Sequence, residues 1–120
     1  ADIADIITFL NGRTGEECSY IQHIAKSTIQ MVTDSIDAYV KQDLLLAQKV
    51  IVDDDIVDDD FTKTKNFLID MISQNTADGE YAMDLLMIAK YFERIGDHAV
   101  NIAEWVQFSV TGVHKGEAEL

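Results

Sequence analysis

Six carboxylates crowd into eight consecutive residues of this chain: Asp53, Asp54, Asp55, Asp58, Asp59 and Asp60. A second acidic set follows, Glu93 and Asp97, with Asn101 and Glu104 continuing at three- and four-residue steps. Carboxylates at i and i+4 share one face of a helix, where like charges repel by a few tenths of a kcal/mol. Oxygen donors of this kind suit Mg²⁺, Mn²⁺, Ca²⁺ or iron, whereas zinc usually prefers His and Cys. Two such pairs on neighbouring helices can converge on one cation. The competing reading is a solvated acidic face, the usual meaning of a charge run.

Position separates the two readings. A step of four from Val50 reaches Asp54, another reaches Asp58, and three more reach Phe61. These two aspartates therefore border an apolar seam, while Asp55, Asp59 and Asp60 are expected to point toward water. Beside a core, desolvation costs more unless a cation compensates. Glu93 and Asp97 flank Phe92, Ile95 and Ala99 in the same way. Gly96 lies between them and costs about 1 kcal/mol against alanine within a helix. That placement implies either a close approach to the backbone or room for a bulky neighbour. The spacing Asp53-x-Asp55-x-Val57-Asp58 is not a calcium loop, because position six lacks glycine and Thr64 occupies position twelve.

Helices must hold these groups, and the apolar spacing provides three. The first spans about Gly15 to Lys41, with Thr14 a candidate N-cap and Glu16 and Glu17 in its first turn. Its stripe is Ile21, Ile24, Thr28, Val32, Ser35, Ile36 and Tyr39. The second begins at Asp43, a candidate N-cap, and runs to about Ser73, where the polar run from Gln74 to Gly79 breaks the pattern. Ile51-Val52 and Ile56-Val57 favour strand locally, yet the helical period continues on both sides of them. The third spans about Glu80 to Val110, with Tyr81, Leu85, Ile88, Phe92, Ile95, Ala99, Ile102 and Val106 on one stripe. The expected fold is all-α, an antiparallel up-down-up three-helix bundle over residues 13–112, with a tail at 113–120. The absence of proline from 120 residues agrees, since proline breaks helix interiors.

Composition excludes several classes. A net charge of −13 opposes nucleic-acid binding, which needs clustered Lys and Arg. It also opposes anionic lipid, and favours cations or basic partners. One cysteine, Cys18, cannot make an internal disulfide and is expected to be a buried thiol. No run approaches the ~20 apolar residues of a membrane span, and no signal-peptide pattern opens the chain. A cytoplasmic location is expected. Asp2-Ile-Ala-Asp-Ile-Ile-Thr-Phe9 resembles Asn101-Ile-Ala-Glu-Trp-Val-Gln-Phe108, so residues 1–12 read as the tail and linker of a preceding homologous repeat.

The segment Glu93-Arg-Ile-Gly-Asp97-His-Ala-Val-Asn101-Ile-Ala-Glu104 is similar to the E-x-x-x-D metal motif of the PhoU family of phosphate-signalling regulators. Asp54-Asp-Ile-Val-Asp58 resembles that family's D-x-x-x-D motif on the preceding helix. Family members have two tandem three-helix repeats, and this chain resembles the second. The resemblance implies an adaptor that restrains the phosphate-starvation response by linking a phosphate ABC transporter to a sensor histidine kinase. It also implies a metal cluster, iron or zinc, with Asp54, Asp58, Glu93 and Asp97 as ligands and Asn101 and Glu104 as weaker candidates. Arg94 and His98 would orient those ligands from behind, although a plain salt bridge for Arg94 and a half-buried His98 also fit the sequence. Mg or Mn is compatible with the same donors, and the resemblance leaves room for a homodimer and for peripheral membrane association through the transporter.

Two other functions fit a helical bundle of this size. A histidine phosphotransfer domain would use His98, but the H-x-x-K-G neighbourhood is missing there, and His114-Lys-Gly has the wrong spacing. His23 is the remaining histidine. A di-iron bundle needs Glu-x-x-His pairs, and neither Glu93 nor Glu104 has a histidine three residues later. No nucleophile–base pair or Gly-rich phosphate loop is present, so no enzymatic activity is expected. Tyr91, Phe92, Trp105 and Phe108 are expected in the core, although some of them would face a missing repeat or a second subunit.

Overall fold

The computed structural model describes residues 15–112, which form α1 (Glu16–Lys41), α2 (Leu44–Gln74), a 3-10 turn (Thr76–Asp78) and α3 (Gly79–Thr111). Each helix packs against both others, and no strand occurs among the described residues. The short connections give the expected up-down-up order. Ile51-Val52 and Ile56-Val57 remain helical inside α2. The expected repeat tail at residues 1–12 and the tail at 113–120 lie outside the described residues.

Local chemistry sets the helix ends. Gly15, rather than Thr14, occupies the N-cap of α1, and its carbonyl accepts from the Cys18 N–H at 3.1 Å. Thr14 itself lies outside the described residues. Gln42 closes α1 in the left-handed region, φ 53°, and its side chain donates to the Tyr39 carbonyl. Asp43 then caps α2, its carboxylate accepting from the Leu46 N–H at 3.1 Å. Asn75 begins the 3-10 turn by accepting from the Ala77 N–H. Gly112 ends α3 at φ 75°, a conformation that glycine adopts without a Cβ penalty.

The inward positions alternate by three and four on every helix. On α1 they are Ile21, Ile24, Thr28, Met31, Ser35 and Ala38. On α3 they are Ala82, Leu85, Ala89, Phe92, Gly96, Ala99, Ala103 and Val106. On α2, Ala47, Val50, Val57, Thr64 and Leu68 keep the same rhythm, with Asp54 and the half-buried Phe61 filling the intervening steps. The apolar core has two parts. One gathers around Ile21, Leu85 and Phe92, the other around Met31, Val50 and Val106.

The sequence stripe of α1 needs correction. Ile36 and Tyr39 are 51% and 60% exposed, while Met31, Asp34 and Ala38 face inward. Toward its C-terminal end the helix carries two apolar stripes about 100° apart, and the bundle buries the one with Ser35 and Ala38. Ile21, Ile24, Thr28 and Ser35 of the expected stripe are buried as read. Tyr91 and Trp105 are likewise exposed and Phe108 half-buried, leaving Phe92 as the core aromatic of that group. Cys18 is buried and free, with its sulfur 3.5 Å from the Tyr81 hydroxyl. That hydroxyl also donates to Glu17 at 3.1 Å, tying the start of α1 to the start of α3.

Candidate functional site

Where the inward rhythm of α2 calls for an apolar residue, the chain has Asp54. It is half-buried, and its Oδ1 is buried with no hydrogen-bond partner among the described residues. Opposite it lies Gly96 of α3. A methyl group placed there would stand 3.7 Å from Asp54 Oδ1 and 3.7 Å from Met31 Sδ. Gly96 therefore leaves room beside the carboxylate, as the spacing suggested, and the space would just accept a methyl.

Around Asp54 the sequence-predicted acids come together. Burial pushes its carboxyl up to about 6, and repulsion from Asp58, Asp97, Asp55 and Glu93 adds to the rise. Asp58 is exposed overall, yet desolvation of its carboxyl, repulsion from Glu93 and Asp97, and a hydrogen-bonding contact with Glu93 raise it also. Two carboxylates from α2 thus face two from α3, with Asp54 and Glu93 on the inner side and Asp58 and Asp97 nearer to solvent. Asn101, exposed, and Glu104, half-buried, stand one and two turns beyond Asp97 along α3.

The supporting residues differ from those expected. Arg94 is exposed and pairs with no carboxylate among the described residues, and His98 is exposed. Lys90 takes the place next to the acids instead. Its ammonium pairs with Glu93 and lies 5.2 Å from the centre of the Phe61 ring. Lys90 sits three residues before Glu93, a spacing that the sequence displayed but that charge counting overlooked.

The other acids of the run have separate partners. Asp60, expected toward water, is half-buried and lies 3.0 Å from Nε2 of His23 on α1. Lys49 bridges Asp53 on its own helix at 2.8 Å and the buried Asp34 of α1 at 2.9 Å. Hydrogen bonds to Asp53 and Asp34 raise the Lys49 ammonium. Gln30 also donates to Asp34 at 2.9 Å. These contacts face the α1–α2 side, so the acidic run of α2 divides between two neighbours. Of the six, Asp55, Asp58 and Asp59 are exposed and without ion pairs among the described residues.

As a donor set for a cation, Asp54, Asp58, Glu93 and Asp97 fit by chemistry. They supply oxygen ligands from two helices, one oxygen buried and unpartnered, under mutual repulsion that positive charge would relieve. Among the described residues, no three His, Cys, Asp or Glu side chains form a ready-made coordination sphere. Also among those residues, no helix is long and apolar enough to cross a membrane.

Comparison with known proteins identifies the family. The PhoU domain model matches residues 21–106, a stretch that includes all four carboxylates. The phosphate-specific transport system accessory protein PhoU homolog of Clostridium acetobutylicum is 33% identical over 112 residues, 92% of this chain and 51% of that protein. The PhoU homolog of Borreliella burgdorferi is 31% identical over 88 residues, 73% of this chain and 40% of that protein. PhoU homolog 1 of Thermotoga maritima is 33% identical over 91 residues, 76% of this chain and 39% of that protein. The chain spans about half the length, or less, of these curated relatives. No solved structure gives a significant match. On the family match and the shared sequence, this chain belongs to the PhoU domain family.

Proposed function

We propose that the chain is a non-enzymatic regulatory domain of phosphate transport, and that a cation on the α2–α3 acidic face is part of its working form. The observation that carries the metal reading is Asp54, whose buried Oδ1 is unpartnered and pressed by four other carboxylates. The relatives' names, accessory proteins of a phosphate-specific transport system, support the regulatory reading. In this reading the domain acts in the cytoplasm. It links a phosphate ABC transporter to a sensor histidine kinase and restrains phosphate uptake and starvation signalling.

Asp54 and Asp58 would hold the cation from α2, and Glu93 and Asp97 from α3. When bound, it supplies the positive charge that lets four carboxylates share one face. The donor chemistry favours iron, Mn²⁺ or Mg²⁺ over zinc. Gly96 keeps the inner wall open beside Asp54, while Lys90 and the Phe61 ring hold Glu93 in place. Asp58 and Asp97, at the solvent edge, would present the surface that a partner protein reads.

Elemental analysis of protein purified without added metal tests the site directly. Wild type should hold metal in fixed stoichiometry, and an Asp58→Ala, Asp97→Ala double variant should lose it while its circular dichroism stays helical. Equal metal content in both proteins would reject the site. The regulatory reading has its own test, co-purification of the chain with the phosphate ABC transporter; absence of binding in both metal states would reject it.

A further inference from the structure

Among the described residues, Lys90 is the one basic side chain that makes an ion pair with any of Asp54, Asp58, Glu93 and Asp97. Its ammonium pairs with Oε1 of Glu93 and lies 5.2 Å from the centre of the Phe61 ring on α2. Asp54 and Asp58 meanwhile stand under repulsion from Glu93 and Asp97, and Asp54 Oδ1 is buried without a hydrogen-bond partner. Positive charge is short on this face, and Lys90 supplies what there is.

An ammonium bonded to a candidate ligand can act in two opposite ways. It can orient Glu93 and so favour a cation, or it can occupy Glu93 and oppose one. The exposures decide between them. The Glu93 side chain is only 14% exposed, so packing between α2 and α3 already fixes most of its position. The Lys90 side chain is 51% exposed, on a flexible four-carbon stem. Lys90 adds a little to the hold on Glu93 but chiefly adds charge. Its bond must break before Oε1 can turn to another cation. The Phe61 ring face attracts the ammonium, so once released it stays beside the site, where like charge still repels.

We propose that Lys90 is a built-in competitor for the cation, neutralising Glu93 in the metal-free protein and setting the metal concentration at which the domain loads. This rests on Asp54, Asp58, Glu93 and Asp97 holding a cation. An ion pair of this exposure, helped by the ring, is made about 80–90% of the time. The apparent affinity then falls about 5–10-fold, in proportion to the fraction of Glu93 left free.

Calorimetric titration of chelator-stripped protein with Mn²⁺ measures the competition. Lys90→Met should bind Mn²⁺ about 5–10-fold more tightly than wild type, and Lys90→Arg should return toward the wild-type value. Arg94→Met removes an exposed charge that pairs with no carboxylate among the described residues, and should change the affinity less than about twofold. Lys90 and Arg94 are both exposed, so circular dichroism should stay helical in all three variants. Binding by Lys90→Met equal to or weaker than wild type would overturn the competitor role and leave the cation site standing. A gain in Arg94→Met as large as that in Lys90→Met would overturn it too, since net charge rather than the pair would then govern. Absence of Mn²⁺ binding in every protein would reject the cation site itself, and the role of Lys90 with it.

Discussion

Asp54 is the residue on which the chemistry turns, and it makes a definite prediction about pH. Its carboxyl titrates at about 6 in the folded protein against 3.8 ordinarily. Between these values the native state holds a proton that the unfolded chain has released, so metal-free stability falls as pH rises through that window. Above it the loss is complete and stays constant. The full shift would correspond to about 3 kcal/mol, but the site is half open, and solvent screening reduces this to about 1 kcal/mol. Urea melts at about pH 4.5 and about pH 7.5 should show the decline in metal-free wild type. Asp54→Asn should remove most of it; an equal slope in the variant would show that other groups dominate. Of this site, the positions of the four acids were legible from their steps relative to Val50 and Phe92. The roles of Lys90 and Arg94 were not, because a charged side chain on a helix flank reaches several neighbours and spacing does not choose among them. Asp60 misled for a related reason. Its partner His23 lies on another helix, where linear spacing carries no information.

Among the elements, α1 and α2 share a polar tie that the sequence concealed. Asp34 is buried, and Lys49, fifteen residues later on the opposite strand of the hairpin, provides its cation. Lys49→Met should cost about 1–3 kcal/mol by leaving the Asp34 charge without its cation, measured as a lower urea midpoint. The Asp34→Asn, Lys49→Met pair should recover part of that loss. Gln42 offers a gain at the same junction. Its left-handed backbone suits glycine, so Gln42→Gly should raise stability by up to about 1 kcal/mol. No gain would mean that the exposed bond to the Tyr39 carbonyl matters more than it should. Helix boundaries were readable to within a residue or two, since capping acids, glycines and a polar break mark them. The inward face of α1 was readable at Ile21, Ile24, Thr28 and Ser35 but not at its C-terminal end. There Ile36 and Tyr39 are exposed while Met31 and Ala38 are buried, and hydropathy gives no preference between two apolar stripes.

At the scale of the whole molecule, the bundle is held by few large side chains. Six of the sixteen buried apolar residues, Ala38, Ala47, Ala82, Ala89, Ala99 and Ala103, are alanines, and Phe92 is the largest fully buried side chain among the described residues. Phe92→Ala should therefore cost about 3–5 kcal/mol. Against a usual total of about 5–15 kcal/mol, that leaves a marginal domain, and thermal melts would detect it. A cost below about 1 kcal/mol would mean that the core around Ile21 and Leu85 collapses onto the vacancy. Three helices and their order were legible in the sequence because polar breaks are few and proline is absent. The division of the core into two apolar groups was not legible, because it falls between Val57 and Phe61 of α2 and between Phe92 and Ala99 of α3, where the spacing runs on as one seam.

Asp54 also settles which alignment of the helices is allowed. Seams rich in alanine, valine and leucine look alike at every seventh residue, so apolar matching alone discriminates weakly between registers. Asp54 removes that degeneracy. Shifted by one repeat, its carboxylate would meet Ala89 or Ala103 instead of Gly96, away from the solvent edge beside Glu93 and Asp97. One charge in the seam thus acts as a register pin, in the way a lone polar residue does in a coiled coil.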